Sequence, residues 1–357
     1  MHEPQFTGKE RQYLLETVDS TFVSSVGSFV DDVETKIKML TQTAGAVAVV
    51  NGTAALQVAM RLAGVEAGDE VITQGLSFIA TANAIVYNQA EPVFIDVDLD
   101  TMGMSPESLL AFLEEFGEVR DNACYNKRTN KRIAACVPMH TFGFMCRMDK
   151  VTDICREWHI PVVEDAAEAL ASKYKGKSAG SFGLTSAFSF NGNKIITSGG
   201  GGAIVSQDMA LAKRGKYLTT TAKKSHAWEY NHDELGYNYR MPNLNAALLC
   251  GQMECLEAKI ESKKELFNRY HNHFQSDSVS LSLPPEGTEW NYWLMSVRLT
   301  DRERRDEFLE VTNACKVMTR PIWNLLFRLP MYRHCYHDAQ SNAVILENTI
   351  VCIPSST

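Results

Sequence analysis

The sequence predicts an α/β protein, in which helices cover both faces of a central sheet. Short apolar and β-branched runs alternate with longer runs of helical composition through the first part of the 357-residue chain. Apolar residues make up 45% of the chain and charged residues 22%, which is ordinary for a globular protein. A chain of this length exceeds one small core, so we expect a second, smaller domain.

The expected elements follow one another in the order that such a sheet requires. Glycine or loop residues separate them, as at Gly64, which fits the end of a helix. The predicted strands cover residues 46–50, 70–73, 92–97, 133–139 and 160–163. The predicted helices cover residues 8–17, 29–39, 54–63, 106–115 and 148–158.

The composition of the sequence changes after about residue 245. A single long helix is predicted over residues 244–270, which are rich in Leu, Ala, Glu and Lys. A strand over residues 290–299 and a charged helix over residues 302–312 follow. We therefore divide the chain into a large domain, 1–245, which includes an N-terminal arm, and a small α+β domain, 246–357.

Charge and cysteine usage exclude several functional classes. The formal net charge of −8 argues against a nucleic-acid partner, because phosphate backbones select basic surfaces. No apolar run approaches the roughly 18 residues of a membrane-spanning helix, and the first ten residues are too polar for a signal peptide. The nine cysteines are scattered without a Cys-x-x-Cys pair, which predicts reduced thiols, a cytoplasmic protein and no metal site.

The first chemical motif, Asn51-Gly52-Thr53-Ala54, follows the first predicted strand and begins a helix. The first backbone amides of a helix have no partner within it, so this turn can bind an anion. Thr53 adds a hydroxyl donor. The alternative interpretation is an ordinary helix cap.

The second motif places carboxylates at the end of a buried strand. Glu164 and Asp165 follow the apolar run Pro161-Val162-Val163, and Glu168 comes three residues later. A buried Asp needs a cationic partner, which a protonated pyridine nitrogen would provide. The alternative is an Asp that caps the next helix.

The third motif contains Lys194, which follows the apolar run Phe188-Ser189-Phe190 and precedes four glycines, Gly199 to Gly202. A lysine desolvated at a strand end can act as a nucleophile toward carbonyls, whereas the alternative is a surface lysine in a glycine-rich turn. An anion cradle, an Asp and a downstream Lys together indicate a pyridoxal phosphate site.

Nearly the whole chain resembles the sugar aminotransferases of the DegT/DnrJ/EryC1/StrS family. The resemblance implies the aspartate-aminotransferase-like fold of fold-type-I pyridoxal phosphate enzymes. That fold has a mixed, mostly parallel seven-stranded sheet between helices and a smaller α+β C-terminal domain. The stretches that carry the resemblance are Asn51-Gly52-Thr53-Ala54-Ala55-Leu56, Glu164-Asp165-Ala166-Ala167-Glu168, Ser181-Phe182-Gly183, Phe188-Ser189-Phe190 with Lys194, Gly200-Gly201-Gly202, and Gly236-Tyr237-Asn238-Tyr239-Arg240-Met241.

The resemblance also implies a role for each matching residue. Lys194 is implied as the Schiff-base lysine and proton shuttle, and Asp165 as the partner of the pyridine nitrogen. Asn238 is implied to reach the phosphate in the neighbouring subunit, which predicts a homodimer with shared active sites. The other implied cofactor contacts are Phe78 against the ring, Glu168 near the ring oxygen, and Gly52, Thr53, Ala54 and Ser189 at the phosphate.

The implied reaction is the amination of a nucleotide-linked 4-keto-6-deoxy sugar, with L-glutamate as the amino donor and pyridoxamine phosphate as the second cofactor form. The closest branch by resemblance makes UDP-4-amino-4,6-dideoxy-N-acetylhexosamines for surface glycans, as LegC-like enzymes do. Arg240, Arg320 and Trp323 are the expected substrate contacts. Asn191 departs from the histidine of many relatives. The alternatives are a 3-keto sugar aminotransferase and a non-catalytic sensor of the same fold.

Overall fold

The computed structural model describes residues 2–276 and 278–356. In these residues helices and strands alternate through the first part of the chain, as expected. The α-helices are α1 (Glu10–Asp19), α2 (Ser28–Thr41), α3 (Gly52–Leu62), α4 (Ile79–Tyr87), α5 (Pro106–Phe116), α6 (Met148–Glu157), α7 (Met209–Thr219), α8 (Asn243–Glu254), α9 (Leu256–His273), α10 (Arg302–Ala314) and α11 (Ser341–Thr349).

Most strands are short, and several form small hairpins outside the main sheet. Single 3-10 turns lie at Thr141–Gly143 and Leu326–Arg328. The strands are β1 (Gly45–Val49), β2 (Glu70–Gln74), β3 (Glu91–Ile95), β4 (Gly117–Arg120), β5 (Ala123–Asn126), β6 (Arg132–Val137), β7 (Val163–Asp165), β8 (Lys173–Tyr174), β9 (Lys177–Ser178), β10 (Thr185–Ser189), β11 (Gly202–Ser206), β12 (Gln275–Ser276), β13 (Val279–Leu281), β14 (Thr288–Glu289), β15 (Ser296–Leu299), β16 (Arg320–Pro321) and β17 (Ile350–Cys352).

The central sheet has the strand order β1-β11-β10-β7-β6-β2-β3, in which β11 alone runs antiparallel to its neighbours. Two parallel bridges, Cys136 to Val162 and Met139 to Asp165, join β6 to β7. The predicted mixed, mostly parallel seven-stranded sheet is therefore confirmed. The carboxyl ends of β1, β7 and β10 meet at one edge, where ligands bind in sheets of this kind.

Alternate residues of the strands belong to two different apolar clusters, as expected for a sheet covered on both faces. Val47 and Ala187 are buried in the cluster that includes helix α3. Their chain neighbours Ala48 and Phe188 are buried in the larger cluster that includes α2. The strands are thus apolar on both faces, which leaves their ends as the place for polar chemistry.

A second sheet, with the order β12-β13-β15-β17-β16, forms from residues 275 onward. Its antiparallel strands and helices α10 and α11 agree with an α+β arrangement in this part of the chain. Strand β14, which lies outside this sheet, pairs with β8 and so joins the C-terminal part of the chain to the earlier part. The domain boundary after residue 245 stays a prediction.

The long helix predicted over residues 244–270 is wrong. Two helices, α8 and α9, meet instead at Cys255, which has φ −102° and ψ 3°. Helix α8 packs closely on α1, since a Cβ on Gly251 would lie 2.8 Å from the amide nitrogen of Glu10. Lys263 of α9 donates instead to the carbonyls of Trp293 and Ser355. The two halves of the predicted helix therefore pack against different parts of the protein.

Two of the predicted strands begin well before the observed ones. The strand predicted at 160–163 begins only at Val163, because Pro161 has no N–H to donate to a ladder. The strand predicted at 290–299 is confined to 296–299, since Tyr292 has φ 55° and the Asn291 side chain bonds to other backbone groups. Within residues 2–276 and 278–356, no helix has the length and apolar character that crossing a membrane requires.

Candidate active site

The three sequence motifs come together around one cavity of about 330 Å³ at the carboxyl ends of β1, β7 and β10. Segments from the C-terminal part of the chain close the cavity from the other side. The predicted residues on its walls are Gly52, Thr53, Phe78, Asp165, Glu168, Ser189, Lys194 and Trp323, and Asn191 lies there as well.

Lys194 lies in the turn that follows β10. Its amide donates to the carbonyl of Asn191 at 3.0 Å, and its side chain is only 11% exposed. Nζ lies 3.0 Å from Oε1 of Glu168 and 4.4 Å from the ring centroid of Trp293. These contacts exclude the interpretation of Lys194 as a solvated surface residue.

Glu168 is the carboxylate that pairs with Lys194. Its second oxygen, Oε2, accepts a hydrogen bond from the amide of Phe142 at 2.9 Å. Burial raises the pKa of Glu168 above its usual range, although the charge of Lys194 opposes this rise. Lys194 and Glu168 therefore form a buried ion pair in the cavity wall.

Asp165 ends β7 and is 3% exposed. Its oxygens accept from Thr81 Oγ1 at 2.7 Å and from the amide of Ala167 at 3.2 Å. No salt bridge reaches Asp165 from the described residues, and burial raises its pKa. No helix begins after it in that part of the chain, so the helix-cap interpretation is wrong and a cationic partner remains the fitting one.

The other end of the cavity is an anion cradle. The Asn51 side chain accepts the amide of Ala54 at 2.8 Å and so caps helix α3. The amides of Gly52 and Thr53 precede the first hydrogen bonds within the helix, and both residues line the cavity. Ser189 adds a hydroxyl on the same wall. The Ala54 amide is already engaged and Ala54 does not line the cavity, so its phosphate contact stays a prediction.

Gly52 is needed at this point because a Cβ there would lie 2.7 Å from Cβ of Ser189. We expect Gly52→Ala to lower the free energy of unfolding by about 1–3 kcal/mol and to weaken phosphate binding, since Ser189 must move. Urea unfolding and phosphate or cofactor titration would measure the two effects. Gly192→Ala is the matched control, because a Cβ on Gly192 meets no atom within 4 Å. Equal losses of stability and of phosphate binding in Gly52→Ala and Gly192→Ala would contradict the prediction.

Aromatic residues form much of the remaining wall. Phe78 is 48% exposed, and its ring lies 6.1 Å from that of Trp323. The Trp323 ring also lies 5.3 Å from that of Phe142. The exposed face of Phe78 can therefore cover a flat ligand, as the resemblance implies.

Besides Ala54, three predicted residues lie outside this cavity. Arg320 is exposed and donates to the Asn313 side chain and the Thr319 carbonyl, so its substrate contact stays a prediction. Asn238 is exposed. Arg240 pairs with Val49 next to the cradle, and its Nε is buried without a hydrogen-bond partner among the described residues.

The first carboxylate of the motif, Glu164, has a structural role. It is fully buried and accepts from His140 Nε2 at 3.1 Å and from Ser186 Oγ at 3.1 Å. The amides of Gly180, Phe182 and Gly183 donate to it at 2.7–2.9 Å. Burial works against ionisation, but these donors hold the pKa of Glu164 below its usual range. This explains the Ser181-Phe182-Gly183 motif as a support of β7.

Sequence reasoning missed Trp293, Asn291 and Thr81. Thr81 lies three residues after Phe78 and gives no signal, since its contact with Asp165 spans 84 residues. Trp293 and Asn291 lie in a run predicted as a strand, about 100 residues after Lys194. Only the folded chain brings these residues to the site.

Elsewhere in residues 2–276 and 278–356, one group of possible metal ligands lies at Glu91, His334 and Cys335. Lys131 Nζ lies 2.5 Å from Oε2 of Glu91 and occupies that carboxylate. Burial raises the pKa of Cys335 to about 11, so its thiol stays protonated at neutral pH. The group is a poor ligand set for a metal ion.

The residues present fit pyridoxal phosphate. The cavity offers helix amides and hydroxyls at one end, a buried carboxylate without a cation, and a desolvated amine. These groups complement a phosphate, a protonated ring nitrogen and an aldehyde, respectively.

Comparisons with known proteins agree with this geometry. The model of the DegT/DnrJ/EryC1/StrS aminotransferase family matches residues 4–357. EpsN of Bacillus subtilis (strain 168), whose name assigns it to the pyridoxal phosphate-dependent aminotransferases, is 34% identical over 99% of this chain and 90% of its own length. GDP-perosamine synthase of Escherichia coli O157:H7 is 35% identical over 94% of this chain and 87% of its own. The crystal structure of the aminotransferase TlmJ from Streptoalloteichus hindustanus superposes with a TM-score of 0.89 at 25% identity, over 99% of this chain and 92% of that one.

Proposed function

We propose that this chain, which belongs to the DegT/DnrJ/EryC1/StrS aminotransferase family, aminates the C4 ketone of a nucleotide-linked 4-keto-6-deoxy sugar. It is a pyridoxal-phosphate-dependent transaminase. The observation that carries the proposal is the buried pair of Lys194 and Glu168, with Nζ 3.0 Å from Oε1, beside Asp165 in one cavity.

Pyridoxal phosphate supplies, when bound, an aldehyde that accepts the amino group and a ring that withdraws electrons from the reacting carbon. We expect the amides of Gly52 and Thr53 and the hydroxyls of Thr53 and Ser189 to hold its phosphate. Asp165 provides the negative charge opposite the ring nitrogen, and Phe78 covers the ring. These roles follow from the donors, charges and exposed ring face on the cavity wall.

Lys194 has two roles in this proposal. Its amine attaches the cofactor covalently in the resting enzyme, and it later moves a proton to or from the substrate carbon. Glu168 holds the proton that Lys194 gives up, because its carboxylate is the salt-bridge partner of Nζ and its burial favours protonation. Asn191 stands where many relatives have histidine, and it has no group that titrates near neutral pH, so we assign this part to Glu168.

The acceptor that we propose is a 4-keto-6-deoxy sugar, with L-glutamate as the donor. The aromatic wall of Phe78, Phe142, Trp293 and Trp323, together with Ile322, provides an apolar surface for a sugar that carries a methyl group at C6. The similar protein from Escherichia coli is named for GDP-perosamine, a nucleotide-linked amino sugar. The sequence resemblance favours a UDP-linked 2-acetamido sugar instead, so the nucleotide is decided by the test.

The test incubates the purified chain with pyridoxal phosphate, L-glutamate and each of three acceptors. These are the GDP-linked 4-keto-6-deoxy sugar, the UDP-linked 2-acetamido-4-keto sugar and a 3-keto isomer. We expect 2-oxoglutarate and an amino sugar in equal amounts, with nitrogen at C4 by NMR, from one of the 4-keto sugars. Amination at C3 alone, or of none of the three, would overturn the proposal.

We further propose that the chain works as a homodimer with shared active sites. The support is that Asn238 is exposed and lies outside the cavity of its own chain, where a partner subunit can meet it. Light scattering on the assayed protein is expected to give twice the 39.8 kDa mass of one chain. A fully active protein with the mass of one chain would contradict this.

A further inference from the structure

We propose that Trp293 is a positioning residue for the Lys194 amine, and that Asn291 and Lys263 hold Trp293 in place. The inference rests on the proposed role of Lys194 but does not depend on which sugar is the acceptor. Trp293 is 3% exposed and lines the cavity opposite the strand ends.

Trp293 touches the Lys194 turn at two points. Its ring face lies 4.4 Å from Nζ of Lys194, and its Nε1 donates to the carbonyl of Asn193 at 2.7 Å. The first contact holds the amine, and the second holds the backbone that carries it. A cation over an indole ring is stabilised more strongly when both are shielded from water, as they are in this cavity.

Asn291 connects Trp293 to the other partner of the amine. Its Oδ1 accepts the amide of Trp293 at 3.0 Å, and its Nδ2 donates to the carbonyl of Glu168 at 2.9 Å. Asn291 is fully buried, so neither bond competes with water. One side chain thus fixes the distance between Trp293 and Glu168, the two groups that contact Nζ of Lys194.

Lys263 fixes Trp293 from the opposite side. Its side chain is 1% exposed, and Nζ donates to the carbonyl of Trp293 at 3.0 Å and to that of Ser355 at 2.5 Å. Burial lowers the pKa of Lys263 to about 7. A buried amine is tolerated where its N–H groups have hydrogen-bond acceptors. The two hydrogen bonds of Lys263 join helix α9 to the segment before β15 and to the segment after β17.

In the chain without cofactor, this frame holds the Lys194 amine in one place, between the ring of Trp293 and the carboxylate of Glu168. Removing the ring face of Trp293 takes away one of the two contacts that stabilise the ammonium. The amine is then more mobile and more accessible, and it reacts faster with small reagents. This consequence can be measured without any turnover.

The experiment uses the full chain freed of cofactor and follows acetylation of Lys194 by acetic anhydride, with peptide mass spectrometry at a fixed pH. We expect Trp293→Leu to raise the labelling rate of Lys194 roughly fivefold. Trp293→Phe keeps a ring face and loses only the indole N–H, so it is expected to fold and to raise the rate about twofold.

Trp290→Phe is the matched control. Trp290 is also buried and donates its Nε1 to the carbonyl of Phe142, but it has no contact with Lys194. Lys263→Met is expected to raise the labelling rate of Lys194, as Trp293→Phe does. Labelling of Lys194 at the wild-type rate in Trp293→Leu, or the same acceleration in Trp290→Phe, would overturn the proposal. Because no sugar takes part, failure here is distinct from failure of the proposed function.

Discussion

Lys194→Ala is expected to abolish covalent cofactor attachment and to lower the transamination rate by about 10³-fold or more, since the variant loses its nucleophile and proton carrier. The measurement is borohydride reduction in the presence of pyridoxal phosphate, followed by peptide mass spectrometry. Wild-type chain should carry the cofactor mass on the peptide that contains Lys194. Cofactor mass on another lysine of the variant, with activity retained, would contradict the assignment.

Removing Lys194 also leaves Glu168 buried without its cation, which is costly for the fold. Lys194→Gln separates this effect from the chemistry, because its amide can still donate to Glu168. We expect this variant to keep the wild-type unfolding midpoint and to lose attachment as completely as Lys194→Ala. Lys213→Ala is the control, since Lys213 is exposed on α7 and does not line the cavity.

Asp165→Asn is expected to change two properties in opposite directions. It weakens cofactor binding by about 10- to 100-fold, because the charge opposite the ring nitrogen is lost. It raises the free energy of unfolding of the cofactor-free chain by about 1 kcal/mol at neutral pH, because a buried, unpaired carboxylate is removed. Spectroscopic titration and urea unfolding measure the two effects.

The hydrogen-bond network can accept the amide. In Asp165→Asn, the new oxygen can accept from the amide of Ala167, and the new NH₂ can donate to the Thr81 hydroxyl. Thr81 can then donate to Ser77, whose hydroxyl lies 2.8 Å away. The variant should therefore fold, and its loss of cofactor affinity measures the effect of removing the negative charge of Asp165.

The pH dependence follows from the raised pKa of Asp165 in the fold. The folded state holds the proton to a higher pH than the unfolded chain, so the destabilisation by Asp165 is absent below the unfolded pKa, near 3.9. It grows as the pH rises and is complete above the folded pKa. The stability gain of Asp165→Asn should therefore vanish in acid.

Asp149→Asn provides a comparison of opposite sign. Hydrogen bonds from Lys175 and the Lys150 amide outweigh burial and lower the pKa of Asp149, so this variant should lose stability at neutral pH. A gain in stability at neutral pH in both variants would contradict the role assigned to the buried charge of Asp165. A stability change that does not depend on pH in either variant would contradict it as well.

Local sequence was informative wherever a strand ends in a chemical motif. Asn51-Gly52-Thr53 and Lys194 follow apolar strands and Asp165 ends one, and parallel strands bring their carboxyl ends to one edge. The position of a strand end depends on neighbouring residues, so residue type and order were enough to predict where these motifs meet. The helix break at Cys255 was not predictable in this way, because it depends on which surfaces α8 and α9 meet.

By itself, the sequence determined the α/β class and the seven-stranded sheet implied by the family resemblance, and it predicted the amine, carboxylate and cradle that line one cavity. Only the tertiary structure decided that Glu164 supports β7 whereas Glu168 pairs with Lys194, and that Trp293 and Asn291 frame the amine. The physical reason is distance along the chain. Strand ends and helix starts are set by neighbouring residues, but the desolvation and pairing of a side chain depend on what packs against it from about 100 residues away.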